Sequence, residues 1–89
     1  MKEKIEILDE LFSNANPSWY YIKRIIENFI SQYSEGNMVY NIPFSKEDSK
    51  YIFSDPFENI MLLEAILKKI GIKGKCTVSS DNIVKIVLI

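Results

Sequence analysis

The stretch CTVSSDNIVKIVLI, residues 76–89, predicts a β-hairpin with an unusually apolar second strand. Its middle, Ser-Asp-Asn at residues 80–82, is typical of a tight turn, and the flanking residues alternate between two faces. We expect Ser79 to lie opposite Ile83. That register puts one set of side chains on an inner face: Gly74, Cys76, Val78, Val84, Ile86 and Leu88. Cys76 is therefore predicted to be a core residue.

The opposite face of this hairpin is also partly apolar. From Ile83 to Ile89 the only polar side chain is Lys85. The predicted outer face combines Lys73, Lys75, Thr77, Ile83, Lys85, Val87 and Ile89. Leaving a large apolar side chain in water forgoes about 1.5–3 kcal/mol of burial energy. We expect the first helix of the chain to cover this face. The alternative cover is another chain, either as a homodimer through this outer face or as a bound target.

The segment SDPFENIMLLEAILKKIG, residues 54–71, precedes the hairpin and predicts a long helix. Asp55 and Glu58 have the spacing of a capping box around Pro56, and Gly71 predicts the end of the helix. Its core face consists of Ile60, Leu63, Ile66, Leu67 and Ile70. A second apolar stripe consists of Phe57, Met61 and Ala65. A helix that is apolar on two sides is either deeply buried or in contact with a partner.

Further elements are predicted before this helix. A first helix covers about residues 2–13, with an apolar stripe of Ile5, Leu8, Leu11 and Phe12. A second is capped by Asn16, starts at Pro17 and ends at Gly36. Its apolar face consists of Trp19, Ile22, Ile25, Ile26, Phe29, Ile30 and Tyr33. Residues 37–44, NMVYNIPF, predict a short strand at a sheet edge, because proline cannot donate to a ladder. The capping-box spacing of Ser45 and Asp48 favours a short helix after it.

These elements predict a single α+β domain over residues 1–89. Three main helices pack on a small three-stranded antiparallel sheet that ends in the C-terminal β-hairpin. We expect the strand order 1-3-2, because a central position suits the apolar last strand. From the second helix onward the order of elements resembles that of a winged helix, although no sequence motif carries this resemblance.

The residue types present argue against catalysis and against a bound cofactor. The chain has no histidine, and it has one cysteine. The commonest general base, the commonest metal ligand and the usual partner of a nucleophile are therefore missing. A zinc site would need soft ligands that the sequence lacks. Acidic neighbours such as Glu47 and Asp48 are expected to be solvated. We predict no enzyme activity, no catalytic residues, no metal site and no cofactor.

Four residues outside the main apolar stripes are the predicted protein-binding contacts: Tyr20, Arg24, Phe57 and Met61. Aromatic, methionine and arginine side chains are enriched in the cores of interfaces. The preferred function is a small cytoplasmic protein-binding module, such as an inhibitor, an immunity protein or an accessory factor of a phage or mobile element. Fifteen isoleucines and ten lysines against one arginine reflect AT-rich coding DNA, which motivates that choice.

A winged-helix-like, nucleic-acid-binding regulator is the alternative. Five lysines gather late in the chain and would form its contact surface: Lys68, Lys69, Lys73, Lys75 and Lys85. Against it, the net charge is −1, and the helix that would read DNA begins with acidic and apolar residues. No stretch has the ~20 apolar residues of a membrane span, so a membrane partner is not expected.

Overall fold

The computed structural model describes residues 2–89. This part of the chain contains four α-helices, one 3₁₀ turn and three strands. In chain order they are α1 (Lys2–Phe12), a 3₁₀ turn (Pro17–Trp19), α2 (Tyr20–Gln32), β1 (Val39–Pro43), α3 (Lys46–Ser54), α4 (Pro56–Lys69), β2 (Gly74–Ser79) and β3 (Ile83–Leu88). Within residues 2–89, every helix is too short or too polar to cross a bilayer.

The sheet has the predicted strand order, with β3 between β1 and β2 and both pairings antiparallel. The predicted register of the hairpin is confirmed, since Ser79 lies opposite Ile83 and Cys76 lies opposite Ile86. Pro43 is the last residue of β1. This strand lies at one edge of the sheet and pairs with β3. The α+β fold with order 1-3-2 and a C-terminal hairpin is thus as expected.

One core joins the helices to the inner face of the sheet. The inner side chains of β3, Val84 and Ile86, are fully buried, and Cys76 of β2 is nearly so. Each helix contributes to the same cluster, which includes Leu8, Phe12, Ile22, Ile26, Phe29, Ile52, Leu63 and Leu67. Leu63 and Ile66 lie on the predicted core face of α4, which packs closely on β2.

The ends of α4 have the capping chemistry that its sequence predicts. The Asp55 carboxylate accepts a hydrogen bond from the Glu58 backbone N–H at 3.1 Å. At the other end, Ile72 N–H donates to the Leu67 carbonyl at 2.9 Å and Gly71 N–H donates to Lys68. Gly71 has φ +88°, a left-handed conformation that completes a Schellman motif and that glycine adopts without a steric penalty. These caps set the length of α4.

Two expectations for α2 are wrong. Asn16 does act as a cap, but it caps the short 3₁₀ turn, and α2 itself begins only at Tyr20. Trp19, which was expected on the core face, is therefore 39% exposed. Tyr21 is buried instead. At its other end the helix stops at Gln32, before Gly36 is reached. The start of α2 differs from the expectation because a proline at the first position suits a 3₁₀ turn as well as an α-helix.

The expectation that α1 covers the outer face of the sheet is also wrong. α1 packs on α2, and it buries Leu8 and Phe12 in the common core on the inner side. An ion pair between Asp9 and Lys23, 3.1 Å apart, joins α1 to α2. On the outer face of the sheet Val39 is 43% exposed and Ile89 is 75% exposed. The molecule therefore has two layers, with one face of the sheet open to solvent.

Candidate protein-binding surface

The outer side of α4 carries the most exposed aromatic side chain of residues 2–89. Phe57 is 83% exposed, and Met61, one turn later, is 67% exposed. Ala65 continues the line as a third exposed residue. Pro56 and the Asp55 cap start the helix immediately before Phe57, with Leu63 buried, so Phe57 points away from the core. We call Phe57, Met61 and Ala65 the α4 stripe.

An apolar groove of about 240 Å³ lies beside this stripe, between α1 and the second half of α4. Its walls are Leu11, Phe12, Ala15, Trp19, Leu62, Ile66 and Lys69, and we call it the Trp19 groove. A second depression, lined in part by Trp19, Leu62, Phe57 and Met61, continues it toward the start of α4. The Trp19 groove and the α4 stripe therefore form one continuous apolar surface.

Trp19 is held in this surface by the residues next to it in the chain. The Asn16 side chain accepts a hydrogen bond from Ser18 N–H at 3.0 Å, which fixes the 3₁₀ turn. The Trp19 ring stacks on Tyr21 at 6.3 Å between centroids, and Tyr21 stacks on Tyr51 at 5.4 Å. Burial is the main cause that raises the pKa of Tyr21, followed by the nearby Glu58 carboxylate. The stack keeps Trp19 in place between α1 and α4.

Charges border the surface with opposite signs at its two ends. Asp55 and Glu58 line the depression at the start of α4. Lys69 lines the Trp19 groove near the end of α4, and Lys68 precedes it in the last turn. Each sign also suits the partial charge of the helix end at which it lies. A bound segment would therefore meet acidic groups at one end and basic groups at the other.

Tyr20 and Arg24, the other two predicted contacts, lie on α2 and line neither depression of this surface. The Arg24 guanidinium forms a bidentate pair with the Asp48 carboxylate, at 2.6 Å from Nη2 and 3.2 Å from Nε. Asp48 is buried, which corrects the expectation that it is solvated. Hydrogen bonding to this carboxylate raises the pKa of Arg24. Arg24 therefore joins α2 to the first turn of α3, and Tyr20 is 37% exposed beside it.

The five late lysines are distributed over α4, the segment after it and the hairpin. Lys69 faces the Trp19 groove, whereas Lys68 and Lys73 share a depression between α4 and the sheet. The strand register puts Lys75 and Lys85 on the outer face of the sheet. The tip of the hairpin, Ser80–Asn82, contains one acidic residue and no lysine. The basic groups are therefore divided among the Trp19 groove, the depression between α4 and the sheet, and the outer face of the sheet.

The buried side chain of Asn59 organises the junction between α3 and α4. The sequence analysis did not identify this residue. The Asn59 amide donates to three backbone carbonyls, of Tyr51 (3.1 Å), Ile52 (3.4 Å) and Asp55 (2.9 Å). Its oxygen accepts from the Tyr21 hydroxyl. A signal existed, because Asn59 precedes Leu63 and Ile66 at helical spacing on the buried face. Trp19 was the other omission, because it was assigned to the core.

Cys76 has the environment of a structural cysteine. Its side chain is buried, and its backbone N–H donates to the Glu64 carboxylate at 2.8 Å. Burial, with a smaller contribution from Glu64, raises the pKa of the thiol to about 12. Thiolate is the reactive form, so little of it exists near neutral pH. Among residues 2–89 no three His, Cys, Asp or Glu side chains come together as metal ligands.

The sequence matches no family model, and comparisons with curated proteins and with solved structures also give no match. Inference about function therefore depends on the surfaces of this chain alone.

Proposed function

We propose that this chain is a small, non-enzymatic protein-binding module that contacts its partner through the Trp19 groove and the α4 stripe. The single observation that carries this proposal is the exposure of Phe57 and Met61 next to an apolar groove. A monomer gains nothing by presenting a phenylalanine to water at the start of its best-capped helix. Adjacent apolar side chains and a concave apolar site are instead typical of a contact surface.

The composition of this surface supports a protein partner. Tryptophan, phenylalanine and methionine are the residue types that interface cores favour. The groove is lined by apolar side chains with a single charged one, Lys69. An amphipathic helix fits such a site, because its apolar residues one turn apart can enter the groove while its polar side faces solvent. Tyr20 and Arg24 remain a second proposed contact, weakened by the engagement of Arg24 with Asp48.

A comparison of exposed-residue variants tests the proposal. The tagged chain and its Phe57→Ala and Met61→Ala variants are used to capture proteins from extracts of the source cells. We expect both variants to reduce recovery of a specific partner, each costing about 1 kcal/mol or more of binding energy. Met38→Ala is the matched control for Met61→Ala, because Met38 is 50% exposed and lines neither depression. Equal recovery by all variants contradicts the proposal.

Stability measurements separate binding from folding. Leu63 is fully buried, so Leu63→Ala should lower the free energy of unfolding by about 2–5 kcal/mol. Phe57→Ala should change it by less than about 1 kcal/mol, because the side chain is mostly in water already. Urea titrations of both variants give these values, at protein concentrations well below about 1 μM so that self-association does not add to the stability. A large loss for Phe57→Ala would assign the α4 stripe to the fold rather than to a partner.

The alternative, a nucleic-acid-binding regulator, draws on one observation. Lys75 and Lys85 lie on the outer face of the sheet, and the strand residues on that face include no carboxylate. Double-stranded DNA is the probe, measured at two salt concentrations with the double variant Lys75→Glu/Lys85→Glu. Salt-dependent binding that the double variant loses would favour the alternative. Our proposal expects no such binding.

A further inference from the structure

We propose that the partner at this surface is a second copy of the chain. In the proposed dimer the two α4 helices run antiparallel, and Phe57 of each copy enters the Trp19 groove of the other. This inference rests on the proposed function, because it uses the same surface and names what occupies it. It differs from a homodimer through the sheet, which the sequence alone left open.

The positions along α4 of Phe57, which we call the knob, and of the Trp19 groove support this arrangement. Phe57 lies in the first turn of α4, whereas the groove borders the second half of the helix at Ile66 and Lys69. The rise of a helix places Phe57 about 14 Å from Ile66 along the axis. Phe57 therefore stays outside the groove of its own chain, as its 83% exposure shows. In a two-fold symmetric pair, only antiparallel helices bring the first turn of one copy beside the second half of the other.

Antiparallel pairing makes this contact twice. The first turn of one α4 then lies beside the last turns of the other, and the same holds in reverse. Both Phe57 side chains reach a groove at once, as a two-fold symmetric interface requires. Midway along the pair, Met61 of one copy comes level with Ala65 of the other, so that a large side chain faces a small one. Sizes and positions thus agree along the whole α4 stripe.

The charges agree with the same direction. Asp55 and Glu58 at the start of one helix approach Lys68 and Lys69 at the end of the other. A parallel pair would instead bring acidic groups together at one end and basic groups together at the other. The macrodipoles of the two helices also favour the antiparallel arrangement. Electrostatics therefore selects one of the two ways in which these helices can pack.

The outer face of the sheet is a poorer site for a second copy. Pairing that face with itself brings Lys75 and Lys85 of one copy toward the same residues of the other. No strand residue on that face offers a carboxylate in return. Like charges in an interface oppose association, so the α4 surface is the better candidate.

Sedimentation equilibrium of the purified chain is the first test. At about 100 μM we expect a mass of twice 10.4 kDa, which falls toward 10.4 kDa on dilution below a micromolar dissociation constant. A mass of 10.4 kDa at every concentration overturns the dimer. The proposed function then stands or falls separately, by the loss of a captured partner in Phe57→Ala.

Two variants that each remove one half of the contact give the sharper test. Phe57→Ala removes the knob, and Ala15→Phe fills the groove. Each should raise the dimer dissociation constant at least about 30-fold. A one-to-one mixture should regain part of the affinity. Its mixed dimers form one of the two contacts, between the knob of the Ala15→Phe chain and the open groove of the Phe57→Ala chain. A mixture as monomeric as its components overturns the reciprocal arrangement. Met38→Ala, outside the surface, should dimerise like the unmodified chain.

A charge exchange provides a test that leaves the groove intact. Glu58→Lys and Lys69→Glu should each weaken the dimer, since each puts like charges together at both ends of the pair. The double variant should recover most of the affinity, because the signs again alternate across the interface. Far-UV circular dichroism checks that all variants stay folded. Additive weakening in the double variant would overturn the antiparallel direction.

Discussion

Cys76 shows at the residue scale how burial determines chemistry. The thiol has an ordinary pKa of 9.0, and burial raises it to about 12 in the folded chain. The folded state therefore keeps a proton that the unfolded chain releases above pH 9. This contribution to stability is fully present below pH 9 and is lost as the pH rises toward 12. The slope is at most about 1.4 kcal/mol per pH unit.

Urea unfolding at several alkaline pH values tests this expectation. The unmodified chain should lose stability between pH 9 and pH 12 more steeply than Cys76→Ala, which has no thiol to titrate. Tyr21, whose pKa is also raised mainly by burial, adds the same dependence to both proteins and cancels in the comparison. Parallel curves for the two chains would mean that the thiol titrates in the folded state as it does in the unfolded state.

Asp48 and Asn59 show which residues a sequence leaves ambiguous. Asp48 was expected in solvent, yet it is buried and paired with Arg24. Asn59 occupies a core position, where it satisfies carbonyls at the end of α3. A buried polar group is stable only when its partners are present, and those partners come from other elements. Such positions cannot be assigned until the elements are packed.

Strand β3 shows at the element scale that one strand can have two different environments. Val84 is fully buried on the inner face, whereas Val87 is half-buried on the open outer face. Val84→Thr should lower the free energy of unfolding by about 1–3 kcal/mol, because it buries a hydroxyl. Val87→Thr should cost less than about 1 kcal/mol.

Thermal or urea unfolding of the two threonine variants provides the check, and each serves as the control for the other. Their substitution is the same, and each lies one residue inside an end of β3, so strand propensity largely cancels between them. A loss for Val87→Thr as large as that for Val84→Thr would mean that something covers the outer face in solution.

The helices differ in how well their sequences predict their bounds. For α4 the cap, the proline and the final glycine lie next to the helix, and each was correctly assigned. For α2 the same kinds of residue were misleading, because Pro17 begins a 3₁₀ turn and Gly36 lies beyond the helix end. Capping residues therefore predict the bounds of a helix well when they lie next to it, as in α4. They predict the bounds poorly when a turn separates them from the helix, as in α2.

At the scale of the whole molecule, folding should need no metal. The sequence has no histidine, and the single cysteine is buried among apolar residues. We expect the melting temperature to be unchanged by EDTA, and elemental analysis of the purified protein to find no stoichiometric zinc. Stoichiometric zinc together with melting at lower temperature in EDTA would contradict this expectation, because it would make metal binding part of folding.

Sequence patterns alone predicted the order of elements, the caps of α4, the hairpin register and the central position of β3. The signals for these features lie close together in the chain: a turn, an alternation, a cap and the apolar run of the last strand. Three facts emerged only once the elements were packed: α1 lies beside α2, Asp48 is buried, and Trp19 and Phe57 belong to one apolar surface. Those facts depend on how side chains from distant elements pack in one core. An apolar stripe in the sequence does not show whether it packs on another element or remains exposed.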